Sequence, residues 1–197
     1  MITPRSLEGT TIRLRPLRLE DVDELCTIGL EPSLWRSTTI EISSPTEMEA
    51  YVKSALAAKT AGTAQPFVIV HLATDSLIGT TRFHSIIPEH KRLEIGFTWI
   101  ALPWQRTGAN TEAKFLMLQY AFEVMKFIRV EFRVDISNEQ SRGSLARIGA
   151  REEGILRRYR ISARRGIRDL ALYSIVDTDW SHVRETLRGK LQYNRRN

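Results

Sequence analysis

Read for the spacing of its apolar residues, the chain switches between a period of two and a period near 3.6. Thr11-Ile12-Arg13-Leu14-Arg15 alternates apolar and charged, which predicts a short strand closed by Pro16. From Leu19 to Leu30, Val22, Leu25, Cys26 and Ile28 fall on one helical stripe, and acids crowd the first turn. Ser44-Pro45-Thr46-Glu47 has the form of a capping box with proline at the first helical position. Met48, Tyr51, Val52, Ala55 and Leu56 follow at helical spacing, and Gly62 ends the element. Pro66 to Leu72 is a continuous β-branched run, the mark of a buried central strand. After the turn chemistry of Ala73 to Ser76, Leu77 to Ile87 predicts a second strand, with Gly79 at a bulge or close approach. Lys91 to Ile100 predicts a third. Its period of two puts Leu93, Ile95, Phe97 and Trp99 on one face and Glu94, Gly96, Thr98 and Ile100 on the other.

A polar loop, Trp104 to Glu112, joins that strand to a helix with two apolar stripes. Ala113, Leu116, Met117, Tyr120, Ala121 and Val124 make one; Phe115, Leu118, Phe122 and Met125 make the other. A helix apolar on both sides is buried, so this one is placed at the centre of the domain. Arg129 to Ile136 alternates as a strand. Ser137-Asn138 opens a short helix, with Gln140 as capping partner, which Gly149 closes. Arg151–Ile161 and Arg168–Val176 predict a long hairpin joined by Ser162 to Gly166. A last helix starts near Asp179 and buries Trp180, Val183 and Leu187. Gly189 to Asn197 reads as a polar C-terminal tail. The order is a run of strands broken by one crossover helix: a mixed α/β, α+β-like fold in one domain, residues 1–188.

Composition narrows the class. The 197 residues, 42% hydrophobic and 26% charged, suffice for one domain with a sizeable core. No apolar run approaches the ~20 residues that span a bilayer, and the polar N-terminus has no signal-peptide core. The expectation is therefore a cytoplasmic protein with no membrane partner. The single cysteine, Cys26, excludes an intramolecular disulfide and argues against a cysteine-rich metal site; no metal is expected. The net charge of +6 is concentrated: nine arginines face two glutamates between Arg142 and Arg168, and the remainder is close to neutral. Within it, the Arg157–Arg168 stretch is either a solvated hairpin or a surface for an acidic acceptor or for RNA near a ribosome.

The loop Gln105-Arg106-Thr107-Gly108-Ala109-Asn110-Thr111 carries no acid and feeds a helix N-terminus, where unpaired N–H groups and the helix dipole favour an anion. A phosphorylated cofactor fits it. Together with Leu93-Glu94-Ile95-Gly96, Glu112-Ala113-Lys114, Asn138-Glu139-Gln140-Ser141-Arg142, Arg147-Ile148-Gly149-Ala150, Glu153 to Arg157 and Asp179-Trp180, this loop makes the chain resemble the GCN5-related N-acetyltransferases. The branch it looks most like contains the ribosomal-protein N-terminal alanine and serine acetyltransferases. The resemblance implies a mostly antiparallel, splayed sheet of about seven strands with helices on both faces. It also implies acetyl-CoA in the splay between the fourth and fifth strands, its pyrophosphate on the loop. One departure is Asn110, where the family usually has glycine or alanine; asparagine tolerates a left-handed backbone and caps helices.

By the same resemblance, Asn138 hydrogen-bonds the pantetheine arm (or only caps its helix), and the Ile100 N–H binds the thioester oxygen. Trp35 forms part of the acceptor pocket or packs in the core. Many relatives protonate the leaving thiolate with a tyrosine; the corresponding region here has Leu145 and no tyrosine, and of Ser141 and Ser144, which remain, Ser141 is the better placed. Glu94 is the candidate base that frees the attacking amine, the alternative being a structural ion pair with an arginine. The acceptor expected is a protein α-amine or a small-molecule amine such as a polyamine or antibiotic. A CoA-binding or RNA-associated module with little catalysis is the reading from another class. The sequence leaves a homodimer open.

Overall fold

The computed structural model describes residues 6–36, 38, 40–162 and 165–194. Eight strands form one sheet in the order β1-β2-β3-β4-β5-β6-β8-β7. They are β1 (Leu7–Glu8), β2 (Ile12–Pro16), β3 (Gln65–His71), β4 (Ser76–Ile87), β5 (Arg92–Ile100), β6 (Arg129–Asp135), β7 (Arg151–Ser162) and β8 (Gly166–Val176). The helices are α1 (Val22–Gly29), α2 (Pro45–Thr60), α3 (Ala109–Gln119), α4 (Glu139–Arg147) and α5 (Asp177–Asn194). Only β5 and β6 pair in parallel, as neighbouring strands joined by a crossover helix, α3; α4 also joins parallel strands, β6 and β7, but β8 lies between them. The strand missing from the sequence reading is β1, two residues turned back on β2 by Gly9. With it the splayed pair becomes the fifth and sixth strands.

Strand β3 shows how the two layers arise. Phe67 and Ile69 enter a core shared with α3 and α5, while Val68 and Val70 enter a second core with α1 and α2. A strand buried on both faces needs the continuous apolar run that β3 has. On one side α3 contributes Ala113, Leu116 and Met117, and α5 contributes Trp180, Val183 and Leu187. On the other, Leu25 of α1 meets Met48, Val52 and Ala55 of α2. The start of α2 is capped as its sequence implies: Ser44 Oγ accepts from the Glu47 N–H at 3.2 Å, though the Glu47 carboxylate returns to Ser43. Gly79 marks a close approach, since a Cβ there would lie 2.1 Å from the Trp99 carbonyl.

Four expectations need correction. The alternation along β5 breaks at Phe97, which has φ of +50° and inserts one extra residue opposite Thr81 of β4. Leu93, Ile95 and Ile100 therefore enter the α3-side core and Trp99 enters the other. Helix α3 starts at Ala109, so Asn110 and Thr111 lie in its first turn, and it closes in a wide π-turn over Tyr120–Val124. Asn138, rather than Ser137, caps α4: its Oδ1 accepts from the Ser141 N–H at 3.0 Å. Helix α5 continues through Asn194, with Leu191 buried, where a polar tail was expected from Gly189. Of the expected turn between β7 and β8, residues 163–164 lie outside the described residues, as do 195–197 of the tail.

Candidate active site

Beyond three register pairs, Arg92↔Arg129, Leu93↔Val130 and Glu94↔Glu131, strands β5 and β6 part. The bulge at Phe97 turns β5 away, and the divergence opens two cavities that share a wall of Thr38, Trp99, Asn110, Asn138 and Ser141. The outer, about 720 Å³, is lined by Trp104, Gln105, Arg106 and Thr107. The inner, about 180 Å³, reaches Glu94, Lys114 and Arg133. The two adjoining cavities thus lie between the loop at the start of α3 and a buried carboxylate.

The loop has the shape its composition implies. Arg106 adopts a left-handed φ of +61° two residues before Gly108, the N-cap of α3, and left-handed residues beside helical ones are the backbone pattern of anion-binding nests. The left-handed residue is Arg106, so Asn110 is not needed for that role and sits in helical geometry. Thr107 Oγ1 accepts from the Ala109 N–H at 3.2 Å, and Gln105 spends its side chain on the Ile100 carbonyl at 3.1 Å, pinning the loop to the end of β5. The Ala101 N–H bonds to Ile78 of β4, so the preceding N–H, that of Ile100, points the opposite way, into the splay. Asn110 Oδ1 is buried with no hydrogen-bond partner. A buried acceptor left open on the wall between the two cavities calls for a donor from whatever fills them.

At the inner end Glu94 is 3% exposed. Arg133 Nη1 donates to its Oε2 at 2.7 Å, and His84 Nε2 lies 3.5 Å from its Oε1. Burial pushes the Glu94 carboxyl up to about 7, against the opposing pull of Arg133 and Arg160. The ion pair and the candidate base are therefore the same residue. Burial, with help from Arg82 and Arg133, drives His84 down to about 3, so it faces Glu94 as a neutral ring. Gly96 makes room for it: a Cβ there would sit 2.5 Å from His84 Nε2. Arg133 is itself shared, its Nη2 donating to Glu131 at 2.9 Å.

Ser141, in the first turn of α4, lines both cavities, as does Asn138. Their strand-to-helix corner is held by Asp135, which accepts from Arg168 at 2.6 and 2.8 Å and from Ser137; the Arg168 bond holds its carboxyl well below the usual range. Trp35 both packs and lines: its ring lies 5.6 Å from Trp99, its Nε1–H bonds to the Gly29 carbonyl, and its edge borders the inner cavity. Sequence reasoning missed Tyr51, His84, Lys114 and Arg133, which the sheet and α3 bring to the same cavity. Of the late arginines, Arg142, Arg151 and Arg168 are spent on Glu152, Asp179 and Asp135, while Arg157, Arg158 and Arg165 stay exposed.

A splayed mixed sheet, with an anion loop at one end of the splay and a buried carboxylate at the other, is the architecture of an acyltransferase. Residues 11–151 match the family model described as an acetyltransferase (GNAT) domain, and the chain belongs to that family. It is an N-acetyltransferase by family. Over 174 residues it is 28% identical to the uncharacterized N-acetyltransferase p20 of Bacillus licheniformis, covering 86% of this chain and 95% of that one. A GCN5-related N-acetyltransferase from Brucella melitensis superposes with a TM-score of 0.85 at 26% identity, covering 93% and 84% of the two chains. RimJ of Mycobacterium smegmatis, solved in complex with CoA-disulfide, superposes with a TM-score of 0.77 at 25% identity over 94% and 91%. No helix among the described residues is long and apolar enough to cross a membrane.

Proposed function

We propose that this enzyme moves an acetyl group from acetyl-CoA to the α-amine of a protein N-terminus, by direct attack with both substrates bound. The observation that carries the reading is the pair of adjoining cavities that share a wall between the Gln105–Thr111 loop and Glu94. Acetyl-CoA supplies the activated acyl group as a thioester. The N–H groups of Arg106, Thr107, Gly108, Asn110 and Thr111 hold the pyrophosphate, with the Arg106 guanidinium as its charged partner, while the Ala109 N–H stays with Thr107 Oγ1. Asn110 Oδ1, orphaned in the wall, receives an amide N–H of the pantetheine arm. Asn138, already bound to the Ser141 N–H, borders the same arm. The Ile100 N–H is placed for the thioester oxygen.

Glu94 takes the proton of the attacking amine. A carboxylate near 7 is matched to an α-amine, whose reference pKa is ~8, and poorly matched to a lysine near ~10.4. The narrow inner cavity, bordered by Trp35, Ile40 and Tyr51, suits a chain terminus entered end-on. The deciding experiment is thiol release from acetyl-CoA with N-terminal peptides, lysine peptides, polyamines and aminoglycosides. The expected result is turnover on peptide α-amines that N-terminal blocking abolishes; faster turnover of a polyamine or aminoglycoside would overturn the acceptor assignment.

The cofactor end has its own test. Gly108→Asp places a carboxylate at the N-cap of α3, a position where aspartate favours the helix, so the fold survives. The same charge opposes the pyrophosphate, and CoA affinity is expected to fall at least about 30-fold by titration calorimetry. Unchanged affinity would remove the loop from the cofactor site.

A further inference from the structure

We propose that Lys114, rather than Ser141, is the proton donor to the departing CoA thiolate, the role that many relatives give to a tyrosine absent here. The inference rests on the acetyl-transfer reading above and adds a residue to its chemistry.

Lys114 lies one helical turn beyond Asn110 on α3, so both side chains share a face. Asn110 borders both cavities and Lys114 only the inner one, which orders them along the two cavities: loop, then Asn110, then Lys114. A cofactor anchored by its pyrophosphate at the loop reaches Lys114 with its far end, where the sulfur is. The ammonium is buried, yet among the described residues it forms no ion pair. Its Nζ donates to Thr98 Oγ1 at 2.9 Å and lies 5.6 Å from the centre of the Phe132 ring. Thr98 is fixed in turn by Thr81 Oγ1 at 2.8 Å, just past the Phe97 bulge that opens the splay. One of three ammonium protons is thus committed, and two remain for the cavity. A buried, unpaired lysine is costly, and a structural one finds a carboxylate. Here the carboxylates of the cavity are engaged elsewhere: Glu94 with Arg133, Asp135 with Arg168.

The chemistry balances. The C–N bond forms as the amine attacks, its proton passing to Glu94. The C–S bond breaks, its electron pair leaves on sulfur, and Lys114 delivers a proton there, becoming a neutral amine that solvent reprotonates. Burial pushes the Lys114 ammonium down to about 7, which suits a donor working near neutrality. The charged and titratable groups around it are Glu94 on β5, His84 on β4, Arg133 and Asp135 on β6 and Arg160 on β7; Glu112, on its own helix, turns away to the β1–β2 hairpin. Burial alone lowers the ammonium, and the two carboxylates are compensated by their arginines.

Two measurements test the proposal, and the first needs no acceptor. In the binary CoA complex at pH 7.5, thiolate absorbance is expected to fall about tenfold in Lys114→Gln relative to the native chain, because the neutral amine of Lys114 no longer accepts the thiol proton. With an acceptor present, the same variant is expected to lose about 10²-fold in kcat while KM for acetyl-CoA changes less than about threefold. Its alkaline limb should vanish too. An unchanged thiolate fraction, or kcat within threefold of the native value, would overturn the proposal. Should Lys114→Gln not fold, the native enzyme decides: a kcat with no decline as pH rises from 7 to 9 would overturn it equally. A wrong acceptor assignment would leave the thiolate signal intact, so the two failures are distinguishable.

Discussion

Glu94→Gln is expected to lower kcat roughly 10³-fold while leaving KM for acetyl-CoA nearly unchanged. The Gln105–Thr111 loop and Glu94 border different cavities, so the substitution removes the proposed base without touching the proposed pyrophosphate contacts. Glutamine keeps the shape and still offers an oxygen to Arg133, which also retains Glu131, so the cavity stays closed. The pH dependence carries the sharper signature. Only the carboxylate form is a base and the carboxyl titrates near 7, so kcat/KM in the native enzyme rises with pH through about 7. In the variant that rising limb is absent. Stability moves in the opposite sense. A carboxyl raised in the folded state stabilises the fold below its unfolded value, near 4.3, and that contribution is lost as pH rises through about 7. Urea titrations between pH 4 and 8 should show the decline in the native chain and a flatter profile in Glu94→Gln. A variant with kcat within tenfold of native, or with the limb near 7 intact, would assign the base elsewhere.

What the amino-acid order reveals, and what it hides, follows from the range of the interactions. The anion loop is a local feature: Gln105 to Thr111 are adjacent, and a left-handed residue beside a helix start needs no partner far away. Strand β3 is legible for the same reason, as a run of seven residues that is buried almost throughout. The bulge at Phe97 is not. A single inserted residue leaves no compositional mark, and its one trace is that Ile95 and Ile100, of opposite parity, both reach the same core. That slip swings Trp99 to the other core and lets the two strands part. Lys114 hides differently. Between apolar stripes, a lysine on a helix reads as a solvated residue, and only the neighbouring β5 and β6 bury it. Arg133 reads as the polar face of an alternating strand until β5 lies beside it. Glu94 and Ser141 were legible as candidates because motif spacing places them, whereas their partners come from other strands and helices.

Glu112 shows how an acidic residue in a first helical turn can serve something other than the dipole. Its carboxylate turns out of α3 to the β1–β2 hairpin, 100 residues away in sequence. Oε1 accepts from the Thr10 N–H at 2.6 Å and the Thr10 hydroxyl at 2.8 Å; Oε2 accepts from the N–H groups of Thr11 and Ile12 at 3.1 and 3.2 Å. Three backbone donors that the hairpin turn leaves open are satisfied by one side chain, and no cation shares the site among the described residues. Gly9 is required beside it, since a Cβ there would lie 2.6 Å from Oε1. Glu112→Ala removes all four acceptor contacts and leaves the buried Ile12 N–H orphaned. Each stranded donor costs about 1–3 kcal/mol, less where water reaches it, so the expected loss of folding stability is about 4 kcal/mol. Glu112→Gln keeps the shape but turns an NH₂ toward N–H groups, and about half that loss is expected. Because Glu112 is only two residues beyond Asn110, untying the hairpin also loosens the helix start that carries the anion loop. CoA affinity should therefore fall in Glu112→Ala even under conditions where the chain remains folded. Urea unfolding ranks the three proteins and calorimetry checks the second effect. A loss below 1 kcal/mol, or equal losses in the two variants, would show that solvent replaces the carboxylate and that the hairpin is not tied to the site through it.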